Sequence, residues 1–250
     1  MQALTVKALL LAGGYGTRLQ PLTDTIPKCL LELDGQRLID YWILNLVDAG
    51  VKQALVNTHH LYEVVREYIQ TINAQNKIQL IESYEPELLG SAGTVSNNAS
   101  FADDCDLVLL IYTDNLSNID LRKLLDFHRS HSEPVTMLLF HAENPKACGI
   151  ATLDQNSLIR KFAEKPATPD SDLANAGVYV VDSSVYRDIA DMNAFDFGFD
   201  VLPHYVGKMK GYVFNGYHRD IGTIESLERA RLDIQNGVFQ NHTKDKAVQP

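Results

Sequence analysis

The sequence predicts an α/β fold: a mostly parallel mixed sheet flanked by helices, followed by a small β-rich lobe. Two observations carry this. Short apolar runs alternate with longer amphipathic ones through the first two-thirds of the 250 residues, as expected of strands and of helices packed on both faces of a sheet. The first strand-like run also leads at once into Gly13, Gly14 and Gly16, a tight turn of the kind found where a strand gives way to a helix.

The elements follow in order. Apolar runs at 6–12, 54–57, 78–81, 107–112 and 135–140 read as strands, and the longer stretches 38–49, 62–72 and 121–131 read as helices. From 148 to 181 the texture changes to short β-like runs at 149–153, 158–162 and 177–181, interrupted by a proline-rich stretch at 164–170. A last helix is expected from about 223 to 235, and 238–250 reads as a polar tail. One domain is therefore expected over 1–237, with halves of about 1–140 and 141–237.

Composition narrows the function. Lys and Arg total 22 against 32 Asp and Glu, a formal charge of -10, so no broad basic face is expected to hold a nucleic acid. Any polyanionic ligand has to be met by a few placed cations and a metal. No apolar stretch approaches the roughly 20 residues that span a bilayer, and Met1 runs into the first strand without a basic leader or cleavage site. No membrane partner and a cytoplasmic location are expected. Cys29, Cys105 and Cys148 are too scattered for paired metal ligands or a disulfide framework.

The glycine segment reads Leu11-Ala-Gly-Gly-Tyr-Gly-Thr-Arg-Leu-Gln-Pro-Leu-Thr23, with Lys28 close behind in Pro27-Lys28. Glycines let backbone N–H groups turn toward an anion without a Cβ in the way. Arg18 and Lys28 bring two cations beside that turn in an acidic chain, as binding of a phosphate chain requires. Two better-known cradles fail: a dinucleotide fingerprint needs a third glycine where Leu19 stands, and a P-loop needs Gly-Lys-Ser/Thr.

This long segment resembles the signature of the sugar-1-phosphate nucleotidyltransferase family. Further matches are Leu89-Gly-Ser-Ala-Gly93, the strand leading to Asp114, Glu164-Lys-Pro166, Asn175-Ala-Gly177 and Arg219-Asp-Ile-Gly-Thr223, so the likeness runs over roughly 6–235. The resemblance implies a Rossmann-like fold and a magnesium-dependent reaction of a nucleoside triphosphate with a sugar 1-phosphate. It implies catalytic roles for Arg18 and Lys28. Nucleotide contacts are implied at Leu11, Ala12, Gly13, Gly14, Gly16, Thr17, Gly90 and Ser91. Asp114 and Asp220 are the implied Mg2+ ligands, and Gly149, Glu164, Lys165, Asn175 and Gly177 the implied sugar-phosphate site. One departure stands out: the family usually carries glycine before the first metal Asp, where this chain has Thr113.

Glu85 occupies a position where pyrimidine-using relatives commonly carry Gln. A carboxylate only accepts hydrogen bonds, and guanine offers two adjacent donors, so Glu85 points to guanine. The resemblance implies mannose 1-phosphate as the usual sugar of guanylyl-transferring members, with a heptose 1-phosphate close behind, and a uridylyl- or thymidylyl-transferring relative is the alternative. A solvated loop charge is the competing reading of Glu85. His59 and His60, after the second strand, read as loop residues rather than metal ligands. Two rival functions are a non-catalytic sensor of nucleotide-sugars, for which Thr113 is the hint, and a dinucleotide-dependent oxidoreductase, disfavoured by Leu19. Assembly into a homo-oligomer is left open by the sequence.

Overall fold

The computed structural model describes residues 4–241. In chain order the elements are β1 (Val6–Leu11), β2 (Glu32–Leu33), β3 (Gln36–Arg37), α1 (Leu38–Asp48), β4 (Gln53–Thr58), α2 (Tyr62–Asn73), β5 (Gln79–Tyr84), α3 (Gly90–Asn97), β6 (Leu107–Tyr112), β7 (Asn115–Ser117), α4 (Leu121–Arg129), β8 (Val135–His141), β9 (Gly149–Leu153), β10 (Ile159–Glu164), β11 (Leu173–Asp182), α5 (Ser183–Asp191), β12 (Met209–Phe214), β13 (His218–Asp220) and α6 (Ile224–Gln235). The α/β class expected from the alternation is what forms, with mixed parallel and antiparallel pairing.

The chain forms two compact units, interleaved in sequence. One comprises Ala8–Leu88, Tyr112–Arg122 and the chain from Gly216; the other comprises the chain up to Lys7, Leu89–Ile111 and Lys123–Asn215. A division near residue 140 does not describe them.

In the first unit β1, β4 and β5 run parallel, with Leu9 opposite Leu55 and Leu55 opposite Ile81. Ala8, Leu9 and Leu10 are all fully buried, as befits a strand covered on both faces. Helix α1 is buried on most of its surface, and its polar side chains serve the chain around it. Trp42 Nε1 donates to the Asn115 carbonyl at 2.8 Å, and Asn45 Nδ2 donates to the Ile119 carbonyl at 2.5 Å. The segment following Asp114 is thereby tied to a helix that is itself buried in the core. A hydrophobic cluster joins Leu19, Leu38 and Leu116 to Ile221, Leu227 and Ile234. It also holds Phe239, whose ring meets Tyr41 and Tyr217 edge-on with centroids 5.5 and 5.3 Å away. This corrects the expected polar tail: Phe239 is core, because edge-to-face aromatic packing outweighs the polarity of its neighbours. Residues 242–250 of that tail lie outside the described residues.

In the second unit β11 is the hub, antiparallel to β6, β8 and β9, while β8 also pairs with β12 in parallel and β9 with β10 in a hairpin. The strand expected at 177–181 is longer than its apolar run, because a register shift between Asn175 and Tyr179 with Gly177 at φ +68° lets the pairing continue past a bulge. Among the described residues no helix is long and apolar enough to cross a membrane.

Candidate active site

The glycine loop leaves β1 under the control of one side chain at the end of β4. Asn57, buried, accepts at Oδ1 from the Ala12 and Gly13 amides at 2.6 and 3.1 Å. A Cβ at Gly13 would stand 2.9 Å from Asn57 Nδ2, so glycine is what permits this approach. The amides of Ala12 and Gly13 are thus already taken, which narrows the expected phosphate cradle. Those of Gly14, Tyr15 and Gly16 make no hydrogen bond among the described residues. Gly16 is in the left-handed region at φ +64°, with Thr23 Oγ1 donating to its carbonyl at 2.9 Å. A 3-10 turn at Thr17–Leu19 follows, presenting Thr17 and Arg18 as exposed side chains while Leu19 enters the core.

Two carboxylates and two cations converge beside this loop. Asp114 lies between β6 and β7, and the short antiparallel ribbon of β7 and β13 sets Asp220 opposite Asn115. The Ile221 amide donates to the Asp114 carbonyl at 2.8 Å, closing the ribbon at that end. Lys28 Nζ donates to Asp114 Oδ2 at 2.8 Å. Gly222 leaves room for Arg18, whose Nη2 would stand 2.8 Å from a Cβ there, and Thr223 caps α6 by accepting from the Ser226 amide at 3.1 Å. Desolvation by the groups packed around it raises the Asp220 carboxyl above its ordinary value and the Asp114 charge adds to this, with Lys28 and Arg18 opposing.

A carboxylate pair of this kind has the donor chemistry of a magnesium site, since Mg2+ binds through one or two carboxylates and completes its shell with water and substrate phosphates. Among the described residues no group of three or more His, Cys, Asp or Glu is arranged to hold a metal by itself. Thr113, the departure from the family pattern, is buried and donates from Oγ1 to the Leu11 carbonyl at 2.8 Å. Its side chain ties residue 113 to the end of β1.

Glu85 is no solvated loop charge. Its side chain is fully buried, and Oε1 accepts from Asn57 Nδ2 at 3.1 Å. The carboxylate expected to face a base thus holds Asn57 through one oxygen. His59 Nδ1 lies 2.7 Å from the Glu85 carbonyl and Nε2 lies 2.7 Å from the Tyr15 hydroxyl. His60 Nε2 donates to the Thr23 carbonyl at 2.7 Å. Both histidines read as loop residues, and they hold the glycine loop and the turn after it.

The remaining expected residues belong to the second unit. Glu164 pairs in register with Gly149, and a Cβ at Gly149 would collide with the Glu164 carboxylate and the Phe162 ring. A Cβ at Gly198 would come within 3.2 Å of the same carboxylate. Burial raises the Glu164 carboxyl, Lys165 opposes this and Asp196 adds to it. Lys165 sits at φ +47° with its amide donating to the Cys148 carbonyl at 3.0 Å. Asn175 Nδ2 donates to the Tyr179 hydroxyl at 2.6 Å, and Asn175 Oδ1 accepts from the Gly177 amide at 3.0 Å. The pairing of Ala174 with Ile150 brings Asn175 into register beside Gly149. Gly90 is at φ +77° against Phe195, and Ser91 Oγ accepts from the Phe197 amide at 2.8 Å, so Ser91's hydroxyl braces the 195–197 segment.

Leu11 through Arg18, Lys28, Glu85, Asp114 and Asp220 thus fall in one unit, and Gly90, Ser91, Gly149, Glu164, Lys165, Asn175 and Gly177 in the other. Residue-by-residue reading missed Asn57, Tyr15 and Gly198. Asn57 carried the only available signal, a polar residue ending an otherwise apolar strand.

Comparison with known proteins gives a consistent picture. The family model described as nucleotidyl transferase matches residues 7–237. The mannose-1-phosphate guanylyltransferase of Mycobacterium tuberculosis is 32% identical over 237 residues, covering 93% of this chain and 66% of the relative. The glucose-1-phosphate adenylyltransferase of Thermosipho africanus is 30% identical over 253 residues, covering 92% and 61% respectively. The chain therefore spans about two-thirds or less of the length of these relatives. A sucrose-bound crystal structure from Bacillus anthracis shares the fold, with a TM-score of 0.84 at 23% identity over 96% of this chain and 99% of that one.

Proposed function

Because the chain belongs to the nucleotidyl transferase family, we propose that it joins a nucleoside monophosphate to a sugar 1-phosphate with release of pyrophosphate, using GTP and mannose 1-phosphate with Mg2+. The observation that carries the reading is the gathering of Arg18, Lys28, Asp114 and Asp220 beside the free amides of Gly14 to Gly16. A triphosphate is a string of anionic oxygens, and free N–H groups with two cations are the complement it requires.

In the proposed reaction a phosphate oxygen of the sugar 1-phosphate attacks the α-phosphorus, the bond from that phosphorus to the oxygen bridging to the β-phosphate breaks, and pyrophosphate leaves. No protein nucleophile is needed. Arg18 and Lys28 bind the departing phosphates and offset the charge that grows on them. Asp114 and Asp220 would hold the divalent cation, which when bound supplies Lewis-acid stabilisation of phosphate oxygens. Glu164 accepts hydrogen bonds from sugar hydroxyls, Lys165 meets the sugar phosphate, and Asn175 with the Gly149 and Gly177 backbone completes the contacts. Guanine is supported by the name of the Mycobacterium relative. Glu85 supports it less directly than the sequence suggested, since Oε1 is taken by Asn57.

The test is pyrophosphate release with Mg2+ across GTP, UTP, dTTP, CTP and ATP against mannose, glucose, N-acetylglucosamine and heptose 1-phosphates. A signal confined to GTP with mannose 1-phosphate is expected. A signal with another pair keeps the reaction and replaces the substrates. Silence across the grid while nucleotide-sugar still binds would overturn the enzyme reading in favour of the sensor.

A further inference from the structure

The Asn57 side chain touches both the backbone of the glycine loop and the buried carboxylate of Glu85. An amide side chain can face either way, presenting its carbonyl or its NH2 to the loop. The Ala12 and Gly13 amides require an acceptor, and only Oδ1 serves. Glu85 Oε1, at 3.1 Å from Nδ2, is an acceptor in its ionised form and admits only the NH2 group. The two requirements agree, so the Glu85 carboxylate selects the orientation in which Asn57 holds the loop. The grip is reinforced a residue pair further on. His59 Nδ1 must donate to the Glu85 carbonyl, which in the neutral ring leaves Nε2 to accept from the Tyr15 hydroxyl.

The Ala12 and Gly13 amides are thus held by the Asn57 side chain and the Tyr15 hydroxyl by the His59 ring, which is itself fixed on the Glu85 carbonyl. With Ala12 and Gly13 turned inward to Asn57, the amides free to meet an anion are those from Gly14 onward.

We propose that Asn57 is a positioning residue that sets the glycine loop for the nucleotide's phosphates, and that Glu85 fixes the direction of its amide. The inference rests on the nucleotidyl-transfer reading above. It assigns Glu85 a role in presenting the loop, distinct from contact with the base.

The test uses the reversal of one hydrogen bond. Asn57→Asp places two carboxylates face to face in a buried setting, where they repel each other until the pH is low enough for the pair to share a proton. Its kcat/KM for the nucleotide is expected to fall about 10- to 100-fold at pH 8, the scale of loss that follows from misplacing reacting groups by about 1 Å. The loss should shrink as the pH is lowered, because the shared proton restores a hydrogen bond. Adding Glu85→Gln lets a Gln amide donate to the Asp carboxylate, which still accepts from Ala12 and Gly13. The double variant is therefore expected to return to within about 5-fold of Glu85→Gln alone and to lose the pH dependence. KM for the sugar 1-phosphate should stay unchanged throughout.

Amide hydrogen exchange at Ala12 and Gly13 gives a readout independent of turnover: faster in Asn57→Asp, slow again in the double variant. Should Asn57→Asp fold poorly, Asn57→Ser, whose hydroxyl is too short to bridge, should show the same faster exchange. Wild-type kcat/KM in Asn57→Asp, equal loss for both substrates, or no recovery in the double variant would each overturn the proposal. If wild type turns over no substrate pair, the functional reading fails by itself, and exchange at Ala12 and Gly13 still decides whether Asn57 holds the loop.

Discussion

Replacing Gly16 by alanine loads two separate costs onto one atom. At φ +64° and ψ 32° the backbone is left-handed, which costs an L-residue with a Cβ about 1–2 kcal/mol relative to glycine. The added Cβ would also stand 2.8 Å from Thr23 Cγ2 and 3.3 Å from Lys28 Cβ, well inside ordinary carbon contact, and overpacking of this kind costs about 1–3 kcal/mol. Thr23 cannot simply retreat, because its hydroxyl donates to the Gly16 carbonyl at 2.9 Å. The expected loss in urea denaturation is therefore about 2–5 kcal/mol, a large share of the 5–15 kcal/mol typical of a folded domain. Part of it should be recoverable. Thr23→Ser keeps the hydroxyl and removes Cγ2, so in the Gly16→Ala background it should return about 1 kcal/mol or more while costing little in the parent. Activity should fall together with stability, since the displaced neighbour is the Lys28 that reaches Asp114. A Gly16→Ala loss below about 0.5 kcal/mol, or no relief from Thr23→Ser, would refute the packing argument.

Three further outcomes follow from the same coordinates. Lys28→Met should reduce kcat/KM for the nucleotide by about 100-fold or more in steady-state assays, with a stability change below about 1 kcal/mol, because Asp114 is about a third exposed and solvent screens the pair. Thr113→Val should cost about 1 kcal/mol in urea denaturation by removing one of the two hydrogen bonds that the Leu11 carbonyl accepts, the one from the Thr113 amide at 3.2 Å remaining, whereas Thr113→Ser should be near neutral. For Glu164, a folded-state carboxyl raised above its usual range means that the native state binds the proton more tightly than the unfolded chain. Stability attributable to this group is then present at low pH and lost as pH rises through the raised value. Glu164→Gln should match wild type near pH 4 and be the more stable of the two near pH 7 in thermal melts, and the opposite slope would reject the assignment.

Much of the molecule was legible because its signals are local. Parallel strands such as β1 and β4 are continuous apolar runs, the loop's glycines sit next to one another, and Arg18 and Lys28 are neighbours of that loop in sequence. Gly177, by contrast, ends up inside β11 although no apolar periodicity extends there, since a bulge carries the pairing across it. The β7 and β13 strands are three residues each, too short for any period to announce them, yet their ribbon is what brings Asp220 beside Asp114.

By itself the sequence determined the α/β class, the family signature, and the identity of the chemical groups: two cations, two carboxylates and a glycine turn. Tertiary structure decided which of those groups meet. Asn57 reaches back 45 positions to the Ala12 amide, Glu85 exchanges solvent for Asn57, and Phe239 leaves a polar stretch for an aromatic core. The two compact units are likewise assembled from segments that alternate along the chain. The physical reason is common to all of these. A side-chain hydrogen bond or a buried ring is a contact between residues distant in sequence, its strength depends on the exclusion of water by the surrounding fold, and neither property is written in the residues on either side.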